Sequence, residues 1–182
     1  MNDIDHDRRK WLGVGIVACG LSLLPQPALA ILTKPRPRVL RFDNLHTGET
    51  LKTEFFDGHR YNSSELARLN YFFRDFRQNK IKMIDPKLFD QIYLLQIMMG
   101  INKPVQLISG YRSLTTNNRL RQISGGVAKH SYHTRGQAMD FHIDGVQLAH
   151  VRKAALKMRA GGVGFYPRSN FIHIDTGPVR TW

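Results

Sequence analysis

Histidine and aspartate gather in two segments of the second half of the chain. They are Ser131-Tyr132-His133-Thr134-Arg135-Gly136-Gln137-Ala138-Met139-Asp140 and Phe171-Ile172-His173-Ile174-Asp175. His133, Asp140 and His173 together are a donor set suited to a catalytic zinc, which takes three protein ligands and keeps one position for water. Zinc held this way draws the pKa of water towards neutrality and polarises a carbonyl, which is the chemistry of amide hydrolysis. The only cysteine is Cys19, so an intrachain disulfide and a thiolate-rich metal site are both excluded. The same residues also suit a simpler explanation. A histidine seven places before an aspartate arises often by chance, and a lone strand histidine commonly packs in a core. Alternation weighs slightly for a site, because Asp140 and His142 share one strand face and His173 and Asp175 share another. Charged groups on apolar strands are costly unless paired or bound to metal.

A loop and strands must carry these groups, and the flanking pattern supplies them. Gln137 to Ile143 alternates as a strand, as do Val163 to Tyr166 and Phe171 to Asp175. Ser124 to Gly136, with three glycines, reads as the loop that brings His133 to them. Upstream, Arg38 to Asn44 and Thr50 to Phe56 form a β-hairpin pattern around Leu45-His46-Thr47-Gly48-Glu49. Asn62 with Glu65 starts a helix by the capping logic, with Leu66, Leu69, Phe73 and Phe76 on one face. Asp85-Pro86 opens a second helix, closed by Gly100. Its stripe of Leu88, Ile92, Leu95 and Met99 is core. Pro104 to Ser109 is a short strand ending at Gly110-Tyr111-Arg112-Ser113, and a polar helix follows from Leu114 to Ile123. Val146 to Arg159 is a further helix, ended by Gly161-Gly162. Strands mixed irregularly with helices predict a small α+β domain. The expected form is a single domain with flanking helices and a mainly antiparallel sheet carrying the metal site.

The first thirty residues read as a targeting segment, leaving residues 31–182 as the folded domain. Arg8-Arg9-Lys10 precedes an apolar, Gly-containing run from Trp11 to Leu24, shorter than the about 20 residues of a membrane span. Ala28-Leu29-Ala30 is a small-x-small cleavage site. The paired arginine resembles a twin-arginine signal, which predicts a periplasmic protein with no stable span in the mature chain. Ile16-Val17-Ala18-Cys19 faintly resembles a lipoprotein box, but the apolar run continues past it. The segment carries three acids and three bases, so its removal leaves the net charge at +13. Such a charge favours a polyanionic partner: nucleic acid, an anionic membrane surface or an anionic wall polymer.

The segment from Ser131 to Asp140 resembles the Ser-x-His-x-x-Gly-x-Ala-x-Asp motif of the zinc D-Ala-D-Ala carboxypeptidase and endopeptidase family, peptidase family M15. Gly110-Tyr111-Arg112-Ser113 resembles that family's upstream Gly-Tyr-Arg-Ser stretch, and His173 matches its third ligand. The resemblance implies a peptidoglycan endopeptidase that uses Zn2+. It would hydrolyse peptide cross-links of the D-alanine–diaminopimelate or diaminopimelate–diaminopimelate kind. Arg112 would bind a substrate carboxylate or the developing oxyanion; a salt bridge is the plainer alternative. Ser131 would bind substrate or merely order its loop. The chain departs from the family at the general base. Asn170 and Phe171 stand where members carry a carboxylate or a histidine, which leaves Asp175, His130 and His142 as candidates by proximity alone.

Two other functions compete. A non-catalytic, zinc-stabilised peptidoglycan-binding module is consistent with Asn170. A basic nucleic-acid-binding domain is consistent with the charge, but the export signal and the lack of a recognisable binding motif count against it.

Overall fold

In a computed structural model, which describes residues 36–124 and 126–182, the chain begins with strands β1 (Arg38–Asn44) and β2 (Thr50–Phe56). Leu40 and Phe42 of β1 and Leu51 and Phe55 of β2 point inward in strict alternation, as one-sided burial requires. The turn between them is held by the Asn44 side-chain oxygen, which accepts from the backbone N–H groups of His46 and Thr47. The targeting segment and Cys19 lie outside the described residues.

Helix α1 (Ser63–Phe72) starts where Asn62 accepts from the N–H groups of Ser64 and Glu65. It stops sooner than its apolar spacing suggests. Phe73 is the C-terminal cap, still fully buried, and Phe76 lies beyond the helix, stacked on His46 at 4.6 Å between ring centroids. Helix α2 (Pro86–Met99) has Asp85 as N-cap, proline in its first turn and Gly100 in the left-handed conformation after it. It lays Leu88, Phe89, Ile92 and Leu95 against the sheet. Phe42, Phe73 and Phe89 meet edge to face at 5.2–6.4 Å. Each fully buried side chain of this size contributes about 1.5–3 kcal/mol, so this cluster anchors the helices to the hairpin.

The remaining elements are β3 (Val105–Ser109), α3 (Leu114–Ile123), a 3-10 turn (Tyr132–Arg135), β4 (Ala138–His142), α4 (Leu148–Met158), β5 (Gly162–Tyr166), β6 (Phe171–Asp175) and β7 (Arg180–Thr181). The seven strands form one sheet in the order β2-β1-β3-β4-β6-β5-β7. The fold is α+β, as expected, but the sheet is mixed rather than mainly antiparallel. β1 runs parallel to β3, and β5 runs parallel to β7. The first parallel pair follows from both helices being inserted between its strands, a crossover that a tight hairpin cannot make. β7, of two residues, is too short to show any period in sequence.

Candidate metal centre

Strand register brings the site together. Asp140 on β4 lies opposite Ser109 on β3 and His173 on β6, and His173 lies opposite Gly164 on β5. A single row across four strands therefore holds two of the three expected ligands. The third, His133, arrives on the 3-10 turn, whose start is fixed by Ser131. The Ser131 hydroxyl accepts from the His133 N–H at 3.3 Å, and Gly136 closes the turn in the left-handed conformation.

His133, Asp140 and His173 are all buried, and one donor atom of each lies within 4.8 Å of the others. The outer nitrogen of each imidazole is already engaged. His133 Nδ1 donates to the Gly110 carbonyl at 2.7 Å, and His173 Nε2 donates to Asp175 Oδ2 at 3.1 Å. These bonds set the tautomers and leave the inner nitrogens as lone-pair donors. The inner atoms are His133 Nε2, His173 Nδ1 and Asp140 Oδ1. Both nitrogens lie 3.2 Å from each other, and they lie 3.2 Å and 2.8 Å from the carboxylate oxygen. Two nitrogens and a carboxylate oxygen this close can share a proton or hold a metal ion between them. Zinc bonds of about 2.0–2.1 Å put tetrahedral ligand atoms about 3.3 Å apart, so the donor set fits that ion in type and in spacing.

The electrostatics separate the two imidazoles. Burial holds the His133 imidazole below its ordinary pKa and so neutral. Burial acts likewise on His173, but its hydrogen bonds to Asp140 and Asp175 win and raise it. Burial would raise Asp140; the two histidines instead hold it far below the usual carboxylate range. Asp175 is also held low against burial, by His173, Arg180 and the N–H groups of Gly177 and Gly162. Gly162 is required there, because a Cβ would sit 2.5 Å from Asp175 Oδ2.

The cluster opens into a cavity of about 320 Å³, whose lining includes Arg112, Ser131, Asp140, Tyr166, Phe171 and His173. Arg112 is aimed by its backbone. Tyr111 N–H donates to Phe73 O at 2.8 Å, Arg112 N–H to His133 O at 3.2 Å, and Ser113 N–H to the buried Asp75 carboxylate at 2.9 Å. Its guanidinium lies 4.0 Å from Asp140 Oδ2, and its buried Nε has no hydrogen-bond partner. A fixed cation so weakly paired is available to an anionic ligand. The Ser131 hydroxyl oxygen orders the turn, and the residue also lines the cavity.

The three proximity candidates for a base are not brought to the cavity. Asp175 is fully buried beneath His173 and bonded to Arg180. His142 pairs with Asp144 at 3.1 Å, and His130 is exposed; neither lines the cavity. Asn170 sits in the left-handed conformation at the end of a short 3-10 turn and does not line the cavity either, whereas Phe171 does.

Sequence reasoning missed Asp75, Tyr166, Arg180 and Trp182. Tyr166 alone left a signal: alternation from Gly164 puts it on the His173 face.

The family model described as peptidoglycan L,D-endopeptidase MepK, of the M15 peptidases, matches residues 33–182. The chain is 66% identical over 182 residues to the peptidoglycan L,D-endopeptidase MepK of Escherichia coli K12, covering all of both chains, and equally to that of Shigella flexneri. It is 48% identical over 183 residues to the probable peptidoglycan L,D-endopeptidase MepK of Haemophilus influenzae, covering all of this chain and 98% of the relative.

Proposed function

This chain belongs to the M15 peptidase family of peptidoglycan L,D-endopeptidases, and from that premise we propose how its own residues perform the hydrolysis of peptide cross-links in peptidoglycan. The observation that carries the reading is the convergence of His133 Nε2, Asp140 Oδ1 and His173 Nδ1 at the cavity, with both outer imidazole nitrogens already bonded. These three residues hold Zn2+, within a peptidase domain spanning residues 31–182. When bound, zinc supplies the Lewis acid that polarises the scissile carbonyl and acidifies the attacking water.

The protein's groups do the rest. Gly110 O and Asp175 keep each imidazole in the tautomer that presents its lone pair. Arg112 pairs with a substrate carboxylate or the growing oxyanion, and its anchored backbone means that little reorganisation is needed. Ser131 hydrogen-bonds the bound peptide from beside His133. Of the two cross-links considered, only diaminopimelate–diaminopimelate joins an L-centre to a D-centre. The relatives' L,D specificity therefore makes it the preferred substrate over D-alanine–diaminopimelate.

The test is incubation of the mature protein with both kinds of purified cross-linked muropeptide, with and without chelator. Cleavage of the diaminopimelate–diaminopimelate dimer should vanish with chelator and return with zinc. Chelator-resistant cleavage would sink the metal assignment. Zinc and muropeptide binding without turnover would instead make the chain a zinc-stapled wall-binding module.

Action on the wall places the chain outside the cytoplasm, and no helix among the described residues is long and apolar enough to cross a membrane. The twin-arginine route rests on Arg8-Arg9 ahead of the short apolar run. Replacing both arginines with lysine should strand precursor in the cytoplasm; undiminished mature protein outside would rule the route out.

A further inference from the structure

Tyr166 occupies the position on β5 directly opposite Phe171, one step along the same face from Gly164, the partner of His173. Its ring stacks on Phe171 at 4.4 Å with an 18° tilt, and it lines the cavity with Arg112, Asp140 and His173. Its oxygen accepts a hydrogen bond of 2.6 Å from Trp182 Nε1. An indole N–H can only donate, so this bond uses a lone pair of the phenol and leaves the phenolic hydrogen uncommitted. Among the described residues no protein acceptor takes that hydrogen. A phenolic O–H lies close to its ring plane. With the indole on one side of the oxygen, the hydrogen is turned to the other.

Trp182 is 47% exposed, yet both its backbone and its ring are engaged. Its backbone pairs with β5 through Phe165 N–H to Trp182 O and Trp182 N–H to Val163 O. Its indole packs where a Cβ on residue 164 would lie 2.8 Å from it, so glycine is needed at that position. The indole also meets the His173 ring at 5.2 Å, and the Arg180 guanidinium lies over it at 5.0 Å. The same side chain thus touches a metal ligand and fixes the phenol.

We infer that Tyr166 is a further catalytic residue of the hydrolysis: its hydroxyl donates a hydrogen bond to the scissile carbonyl oxygen as negative charge gathers there, and Trp182 is the positioning residue that sets its direction. This rests on the hydrolase reading above. Arg112 supplies charge to the same cavity, and Tyr166 supplies a neutral, directed donor whose orientation is fixed before substrate arrives. A donor of this kind acts on the transition state more than on the ground state.

The experiment measures kcat and KM on the diaminopimelate–diaminopimelate dimer for the wild type, Tyr166→Phe, Trp182→Phe and the double variant. Zinc content and melting temperature are measured on each. Tyr166→Phe should lower kcat on the order of 10²-fold, the usual cost of one oxyanion donor, with KM, zinc and melting temperature little changed. Trp182→Phe keeps an aromatic ring but loses the N–H, and should lower kcat roughly tenfold in the wild-type background. It should cost nothing further once Tyr166 is already phenylalanine, because a coupled pair is not additive. A merely structural tryptophan would lower both backgrounds alike, and that result would overturn the pairing. Should Tyr166→Phe lose zinc or unfold, Trp182→Phe decides: a kcat loss at constant zinc and stability supports the assignment, and full kcat overturns it. Wild-type turnover matched by Tyr166→Phe, or a loss confined to KM, overturns the role of Tyr166 and leaves the hydrolase reading standing. No wild-type turnover on either cross-link overturns both.

Discussion

Removing the His133 imidazole deletes one of three lone pairs and leaves Asp140 buried with one partner fewer. The turn that carries residue 133 keeps its Ser131 cap, its Gly136 end and the Arg112 N–H bond to His133 O when the ring is removed, and loses the ring's bond to Gly110 O. His133→Ala should therefore fall from about one zinc per chain to nearly none, with the circular dichroism of the fold kept. Full zinc occupancy in that variant would remove His133 from the site. Arg112→Lys separates charge from geometry. Lysine keeps the cation but loses the planar fork that binds a carboxylate through two parallel hydrogen bonds. Burial depresses the Arg112 guanidinium pKa, and Asp140 opposes this only in part. Muropeptide cleavage by Arg112→Lys should drop by about 2–4 kcal/mol in transition-state stabilisation while zinc and melting temperature hold. An unchanged rate would return Arg112 to a salt-bridge role.

The aim of Arg112 belongs to the element that carries it, the turn between β3 and α3. Asp75, in the loop after α1, accepts from Ser113 N–H at 2.9 Å and from Arg77 N–H at 3.1 Å, while Ser113 Oγ caps α3 by accepting from Thr116 N–H. Burial would raise the Asp75 pKa, but its bonds to Ser113, Thr116 and Arg77 hold it below the ordinary value. The sign follows from linkage. The stabilisation is fully present above the unfolded pKa of about 3.9 and is lost as pH falls through the lower folded value. Asp75→Asn should cost about 1–3 kcal/mol at neutral pH, and the gap to wild type in denaturant melts should begin to narrow as pH falls below about 4. A gap that does not change with pH would show that charge at Asp75 contributes nothing. Asp75 also marks where the sequence stops being informative. The grouping of His133, Asp140 and His173 was legible through the family motif from Ser131 to Asp140 and the matching His173, since spacing alone left a core explanation open, and the hairpin and both capped helices were legible from local alternation and capping. Asp75 meets Ser113 across 38 residues, and Trp182 meets Tyr166 only because the parallel edge strand β7 precedes it. Such contacts are products of packing, with no local period to announce them. The early end of α1 is similar: the turn from Asp75 to Lys80 outweighs the apolar spacing that would carry the helix on to Phe76.

Charge is a property of the whole molecule. The net +13 survives loss of the first thirty residues, and the distribution is uneven. No Asp or Glu occurs between Asp90 and Asp140, a stretch that holds β3, α3, the loop to Ser131 and the Arg112 turn. Arg119 and Arg121 of α3 and Lys129 of the following loop are exposed and have no acidic neighbours in sequence, and Ser124 and Ala128 of the same stretch line the cavity. Cross-linked peptidoglycan is a dense mesh of stem-peptide carboxylates. A basic face meeting such a mesh gains local concentration through a field that reaches about 10 Å at 0.1 M salt and about 3 Å at 1 M. A small soluble dimer carries few of those charges, and its capture depends on contacts inside the cavity that salt screens far less. Two substrates should therefore separate the two contributions. Cleavage of intact, insoluble wall should slow markedly as ionic strength rises from roughly 0.05 to 0.5 M, over which screening shortens the field several-fold, while cleavage of the isolated dimer should change little. Replacing Arg119, Arg121 and Lys129 together with glutamine should flatten the salt dependence on wall and leave turnover of the dimer intact. Equal salt sensitivity on both substrates would place the effect in the cavity and leave the positive surface without a part in wall engagement.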